Sequence, residues 1–459
     1  MKWRNEDTIA AVATPPGVGG VAIVRVSGPR AVALTDPLFH PTGQTGLARA
    51  PSHRLLHGWV VDAGRRLDEV LAVVMRAPRS YTREDVVELH CHGGHAAVRA
   101  VLDLVLAGGG RMAAPGEFTW RAFMNGRLDL TQAEAVADLV VSGTPTALAV
   151  NAAQLGGRLQ QEIGALKEQL LRGAALVAAA IDFPEEQDWT EHQGELARLL
   201  DQTAGRLEEL VGGADQGRIL AEGLRVAILG RPNVGKSSLL NALLGEDRAI
   251  VTDVPGTTRD TLEELARVGG VMTRLIDTAG IRASQDLVEQ MGIARARRAM
   301  ASADLVLLVL DGSAPLEPDD RELLAQVPPG TLLVVNKQDR MTDEDPPWAG
   351  EVEGFSRLGL SAKTGQGLEG LRQAVHQRAV GNKPLALEHP MLTNLRQKQA
   401  ARDAWQAVDG ARQGLAEGRP GELLAVDLDR ALAALGAVTG DTTPEDLLEE
   451  IFSRFCIGK

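Results

Sequence analysis

At 459 residues, 44% apolar and only 3% aromatic, the chain has material for about three domains of ~150 residues, and its 50 glycines suit α/β and helical layers better than an extracellular sandwich. A net charge of −13 argues against a strong general polyanion binder, so any RNA site must be local, transient or shared with a partner. Two cysteines make no disulfide framework, the opening "MKWRNEDTIA" lacks the apolar run of a leader, and no stretch nears the ~18 apolar residues of a span, which together point to a cytosolic chain without membrane insertion.

Residues 1–120 alternate β-branched runs with Gly/Pro turns, "TIAAVAT", "PPGVGG", "VAIVRVSG", then "EVLAVVM" and "VVELHCHGG", and predict a mixed α/β domain. From Leu128 the pattern turns helical, with Thr131 and Glu134 at the spacing of a capping box. "SGTP" breaks that helix. A longer one starts at Pro145 and carries Leu155, Leu159, Ile163, Leu166 and Leu170 on one face until "IDFPEE". The run Leu224–Leu229 reads as a buried strand and opens an α/β segment over 221–380. Beyond "GNKP" helices return, one with Leu395, Trp405, Val408 and Leu415, the next from Leu423 to Leu435, and a last one capped by Thr443 with Pro444 at its first position. Helices over 121–220 and 381–459 on either side of 221–380 predict an α/β unit inserted into a helical bundle. The fold class expected is multidomain α/β and all-α.

The inserted segment carries chemistry. "GRPNVGKSS" from Gly230 follows a strand and precedes a helix, as a phosphate-binding loop requires: backbone N–H groups face phosphate oxygens, Lys236 adds charge, and Ser237 offers a hydroxyl to Mg²⁺. "DTAG" (Asp277, Thr278, Ala279, Gly280) follows the strand "VMTRLI", where a carboxylate reaches the Mg²⁺ water shell. "NKQD" (Asn336, Lys337, Asp339) ends the strand "TLLVV", and an aspartate there accepts the N1 and N2 hydrogens that guanine has and adenine lacks. "SAK" (Ser361, Ala362, Lys363) completes a base pocket, and "TTRD" supplies Thr258 for Mg²⁺. The segment reads as a GTPase. After DTAG stands Ile281, which cannot orient water, and Asn233 is open to two readings: a carbonyl for a monovalent cation beside the phosphates, or a residue that shapes the loop.

With these residues in view, the whole chain resembles the bacterial tRNA-modification GTPases called MnmE or TrmE. The likeness runs through "TPPGVGGVAIVRVSG", "CHGG", "APGEFTWRAFMNGRLDLTQAEAVADL", "AAIDFPEE", the GTPase motifs and the closing "FCIGK". It implies an N-terminal α/β domain that binds a tetrahydrofolate derivative (5-formyl or methylene) and forms a homodimer, a helical domain, and an inserted Ras-like P-loop domain. It implies work with a flavin-dependent partner, MnmG (GidA), to place aminomethyl or carboxymethylaminomethyl groups on C5 of the wobble uridine of certain tRNAs. The resemblance extends the GTP contacts to Val234, Gly235, Ser238, Thr252, Asp253, Val254, Pro255, Gly256 and Thr257. It assigns K⁺ to Asn233, Thr252, Val254 and Thr257, a water-positioning role to Glu289, and folate contacts to Arg25, Glu88, Arg127 and Lys459.

"HCHGGH" invites a metal, but along a strand His90 and His92 share one face while Cys91 points to the other, and no second Cys/His pair exists. The acidic "DFPEEQD" reads as a helix-end turn. Cys456 has two readings, a nucleophile or general acid at the folate, or a small apolar anchor for the last helix. Two rival functions remain: a regulatory GTPase without chemistry of its own, which would carry an RNA-binding module where this tail is acidic, and a folate enzyme that uses the GTPase only as a gate.

Overall fold

A computed structural model describes residues 6–182, 189–245, 264–276, 297–343, 345–381 and 389–458. These divide into two compact units, one of residues up to 137 together with 436–458, the other of residues between 138 and 435.

In the first unit, strands β1 (Ile9–Val12), β2 (Gly19–Ser27), β3 (Phe39–Pro41), β4 (Leu55–Asp62), β5 (Arg65–Met75), β6 (Val86–Gly93) and β7 (Arg111–Met112) form a sheet ordered β3-β4-β5-β6-β2-β1-β7. β7 runs parallel to β1, and the other pairs are antiparallel. Side chains alternate between faces with period two, so Val24, Val26, Val87, Leu89 and Cys91 are buried on one side, in the same core as Ala31 of α1 (Ala31–Thr35) and Val98, Val101, Leu102 and Val105 of α2 (His95–Ala107). The opposite parity places Arg25 of β2 directly across from Glu88 of β6. Helix α3 (Glu117–Met124) sends Phe118 against Ile9 and Ala11. The fully buried Arg121 is held by Asp7, Glu84 and Glu117, which compensates its desolvation. A separate apolar cluster joins Trp120, Leu130 and Ala133 to Leu448, Phe452 and Phe455, so the chain's far end packs in this unit.

The second unit contains a six-stranded sheet ordered β13-β12-β11-β8-β10-β9, built from β8 (Leu224–Leu229), β9 (Glu264–Val268), β10 (Val271–Ile276), β11 (Leu305–Asp311), β12 (Leu332–Asn336) and β13 (Ser356–Gly359). Only β9 is antiparallel. All seven residues of β11 are buried, and the first six are apolar, the pattern of a strand covered on both faces. Its helices include α8 (Lys236–Leu244), α9 (Pro318–Gln326) and α10 (Leu368–Val380). The helical part comprises α5 (Pro145–Leu155), α6 (Arg158–Asp182), α7 (Trp189–Glu222) and α11 (Leu395–Ala416), with α4 (Leu130–Val141) and α12 (Gly421–Thr439) leading in and out. Mixed α/β and helical architecture is thus what the chain adopts.

Local departures have local causes. The N-terminal box of α4 is made by Asp129 and Gln132: the Asp129 carboxylate accepts from the Gln132 amide at 2.8 Å, and the Gln132 side chain accepts from the Asp129 amide at 3.0 Å. Thr131 is buried and donates to Asp129 instead of capping with Glu134. The long helix from Pro145 breaks at Gly156–Gly157, where Gly157 takes a φ of 83°, and restarts at Arg158. Leu159, Ile163, Leu166 and Leu170 are buried as their spacing requires. On α11 the buried stripe is Ala400, Ala401, Ala404, Ala407, Val408 and Ala411, whereas Leu395 is 57% exposed. Leu423 likewise points outward on α12. The last helix, α13 (Glu445–Ser453), has Pro444 in the cap position, and the Thr443 hydroxyl makes no capping bond.

Candidate nucleotide and cofactor sites

Strand β8 delivers Gly230 to the phosphate loop with a φ of 144°, and a Cβ there would meet the Val309 carbonyl at 2.4 Å. The loop turns through Asn233 (φ 64°) and Gly235 (φ 103°) before α8 begins at Lys236. These left-handed turns aim the first N–H groups of α8 at one point, the arrangement that receives a phosphate. Lys236 donates to the carbonyls of Gly230 and Arg231, both at 2.7 Å. Burial, and then Arg231, push its ammonium down to about 8 against the opposing pull of Asp320. Ser237 and Ser238 stand exposed in the first turn of α8, and Val234 is buried beneath the loop.

Asn336, at the end of β12, ties the loops together. Its amide donates to the Val234 carbonyl at 2.8 Å, and its oxygen accepts from the Ala362 amide at 3.0 Å. Asp339 is exposed and accepts from the Ser361 hydroxyl at 2.7 Å, a bond that holds its carboxyl below the usual carboxylate range. Lys363 is exposed beside it. Lys337 adopts a φ of 66° and donates to Asp311 at 2.6 Å. The structure therefore brings Val234, Lys236, Asn336, Lys337, Asp339, Ser361 and Ala362 together at the carboxyl ends of β8, β12 and β13. The donor set fits a guanosine phosphate: a carboxylate for the base, backbone amides and an ammonium for the phosphates.

Gly235→Ala should weaken GTP binding by an order of magnitude or more, because the added Cβ would sit 2.1 Å from the Asn336 amide nitrogen. Equilibrium titration with a fluorescent GTP analogue measures this, and unchanged affinity would contradict the close packing.

Thr252, Asp253, Val254, Pro255, Gly256, Thr257, Thr258, Asp277, Thr278, Ala279, Gly280, Ile281, Glu289 and Lys459 lie outside the described residues, as does most of "DFPEEQD". Asn233 is described and exposed, and among the described residues its side chain makes no hydrogen bond.

In the first unit, the Arg25 guanidinium donates to Glu88 at 2.8 Å and to the Gly458 carbonyl at 3.2 Å. It lies 5.6 Å from the Tyr81 ring and 5.7 Å from Phe118. Arg127 donates to the Tyr81 carbonyl at 3.0 Å and rests 4.7 Å from the same ring. Arg25 and Arg127 thus flank the chain's single tyrosine, and Arg25 joins Glu88 to the backbone next to Lys459. Tyr81 and Phe118, which the sequence does not single out, lie here too, and His90, read in the sequence only as part of a possible metal cluster, places its Nε2 3.3 Å from Glu88. The lone tyrosine was the available signal. A carboxylate beside guanidinium groups suits a pterin with an acidic tail, because ring amino groups seek acceptors and tail carboxylates seek cations.

The two cysteines differ in kind. Cys91 is buried, and burial, then Asp68, push its thiol up to about 12, which makes it inert. Its neighbours point the other way, His90 to Glu88 and His92 to Asp68 at 2.6 Å. Cys456 is only partly buried, and its carbonyl accepts from the Gly116 amide. Gly458 takes a φ of 94° with any Cβ 2.3 Å from the Val12 carbonyl, so glycine alone lets the chain pass there.

The family model described as the GTP-binding protein TrmE N-terminus matches residues 8–127, and the MnmE helical domain matches 130–456. The tRNA modification GTPase MnmE of Symbiobacterium thermophilum is 49% identical over 99% of this chain and 100% of its own length. Its namesake from Geobacter metallireducens is 48% identical over 99% of both chains, and that from Syntrophotalea carbinolica is 49% identical over 99% of this chain and 100% of its own. With such identity over its whole length, and a phosphate loop and base loops built as described, the chain belongs to the MnmE family of tRNA modification GTPases.

Proposed function

We propose that this protein hydrolyses GTP to drive modification of C5 of the wobble uridine in certain tRNAs, acting in the cytoplasm as a homodimer with a flavin-dependent MnmG-type partner. The observation that carries the GTPase half is the Asn336 side chain, which joins the phosphate loop at Val234 to the base loop at Ala362. The product would be an aminomethyl or carboxymethylaminomethyl group, and a tetrahydrofolate derivative held by Arg25, Glu88, Arg127 and Lys459 would supply the carbon. The domains that divide this work are 1–120 for folate and dimerisation, 221–380 for GTP, and the helices over 121–220 and 381–459.

In this reading Lys236 and the α8 N-terminus bind the phosphates, Asp339 and Ser361 fix the base, and Ser237 with Thr258 hold Mg²⁺. Bound Mg²⁺ neutralises charge on the phosphate oxygens. Ile281 cannot position water; by the family resemblance Glu289 takes that part, and Asn233 with Thr252, Val254 and Thr257 would hold K⁺, whose charge would do the work of an arginine finger.

Nucleoside analysis of tRNA from cells lacking the protein is the direct test. Loss of a C5-modified wobble uridine supports the proposal, and an unchanged nucleoside profile refutes it in favour of an assembly GTPase. Hydrolysis should also run at least several-fold faster in potassium than in sodium at constant ionic strength, since carbonyl ligands at Asn233, Thr252 and Val254 suit the larger ion. A rate indifferent to the exchange would remove Asn233 from this role.

A further inference from the structure

We infer that Asp311 is a positioning residue for guanine recognition: it pins the Lys337 side chain, and through Lys337 it sets the affinity of the pocket for the base. The inference rests on the reading of Asn336, Asp339 and Ser361 as the base pocket, and extends it to a residue outside the GTPase motifs.

Asp311 is the last residue of β11 and stands in register with Asn336 on β12. The two strand ends are pressed together. The Gly312 amide donates to the Asn336 carbonyl at 2.8 Å, and a Cβ on Gly312 would lie 2.8 Å from Val335 and 2.6 Å from the Met341 sulfur. Immediately after Asn336 the chain enters the left-handed region at Lys337, a conformation that costs a lysine energy and that its surroundings must hold. Through that turn the ammonium meets the Asp311 carboxylate at 2.6 Å, with side chains 22% and 10% exposed.

Asp311 is itself immobilised. Its other carboxylate oxygen accepts from the Ser313 amide at 3.0 Å and hydroxyl at 2.7 Å, and its carbonyl accepts from the buried Trp348 indole at 3.0 Å. Three neighbouring side chains therefore leave one turn in fixed directions: Asn336 to the phosphate loop, Lys337 to Asp311 and Asp339 to Ser361. With its charge neutralised at Asp311, Lys337 presents its butyl stem to a flat purine as an apolar surface. An unpinned lysine would extend toward solvent and release the turn that aims Asp339.

The test uses the full chain, with fluorescent GDP and with inorganic tripolyphosphate, which lacks a base. Asp311→Asn should speed GDP dissociation about tenfold, and Ser313→Ala, which loosens Asp311 without removing its charge, about threefold. Tripolyphosphate competition should stay within about twofold in both. Because Asp311 acts through Lys337, Asp311→Asn should add nothing to Lys337→Met in a double-mutant cycle. Unchanged GDP dissociation in Asp311→Asn, equal weakening of tripolyphosphate, or effects that multiply in the double variant would each overturn the inference. Asp339→Asn run alongside separates the two levels. If that variant keeps its full preference for GTP, the base-pocket reading itself fails; if it loses it while Asp311→Asn is silent, only the role of Asp311 fails.

Discussion

Asp339→Asn should convert the protein from a guanosine to a xanthosine nucleotide binder, weakening GTP by roughly a hundredfold or more. The Asp339 carboxylate is exposed, held by Ser361 at 2.7 Å, and ionised, so it can accept from both N1–H and the N2 amino group of guanine. Hydrogen bonds to a charged group are worth about 1.5–3 kcal/mol each, and two of them account for a change of that order. Asparagine offers one acceptor and one donor, which matches the carbonyl that xanthine carries in place of the amine. Competition of GTP and xanthosine triphosphate for the same site measures the switch. Retained GTP preference would mean that the base is read elsewhere.

Cys456→Ser should abolish most tRNA modification while leaving GTP hydrolysis and folding intact. The thiol is partly buried in the first unit, next to a backbone that reaches Arg25 through the Gly458 carbonyl, and it lies outside every GTPase motif. Cys91 cannot substitute for it, being buried and protonated. If Cys456 served only to anchor α13, the polar swap would cost on the order of 1 kcal/mol and lower the melting temperature by roughly 2–4 °C, with modification reduced only in proportion. If its thiol performs a chemical step, modification falls at least tenfold at an unchanged melting temperature. Measuring both on the same preparation decides, and full modification by the serine variant would leave Cys456 with a packing role.

The GTPase elements were legible in the sequence because each is a short, contiguous device whose backbone geometry demands particular residues. Gly235 must be glycine at a φ of 103°, and the phosphate loop, NKQD and SAK each sit where a strand ends. The strands "VAIVRVSG" and "VVELHCHGG" were equally plain, since alternation with period two marks a covered sheet. Strand β4, "LLHGWVVD", is not legible in the sequence, because Gly58 interrupts its pattern; in the fold that glycine accommodates the Phe39 ring, 2.7 Å from where a Cβ would stand.

Other features depended on partners distant in sequence. That Asp129 rather than Thr131 caps α4 depends on Thr131 being buried, and the alanine stripe of α11 is core only because α7 packs along it. The placement of Arg25 against both Glu88 and Gly458 spans separations of 63 and 433 residues, and Lys337 finds Asp311 26 residues away. By itself the sequence determined the architecture class and the phosphate and base loops, since local backbone chemistry suffices for them. Only the tertiary structure decided which charges meet, because strand register and helix packing bring together residues whose spacing along the chain carries no trace of their contact.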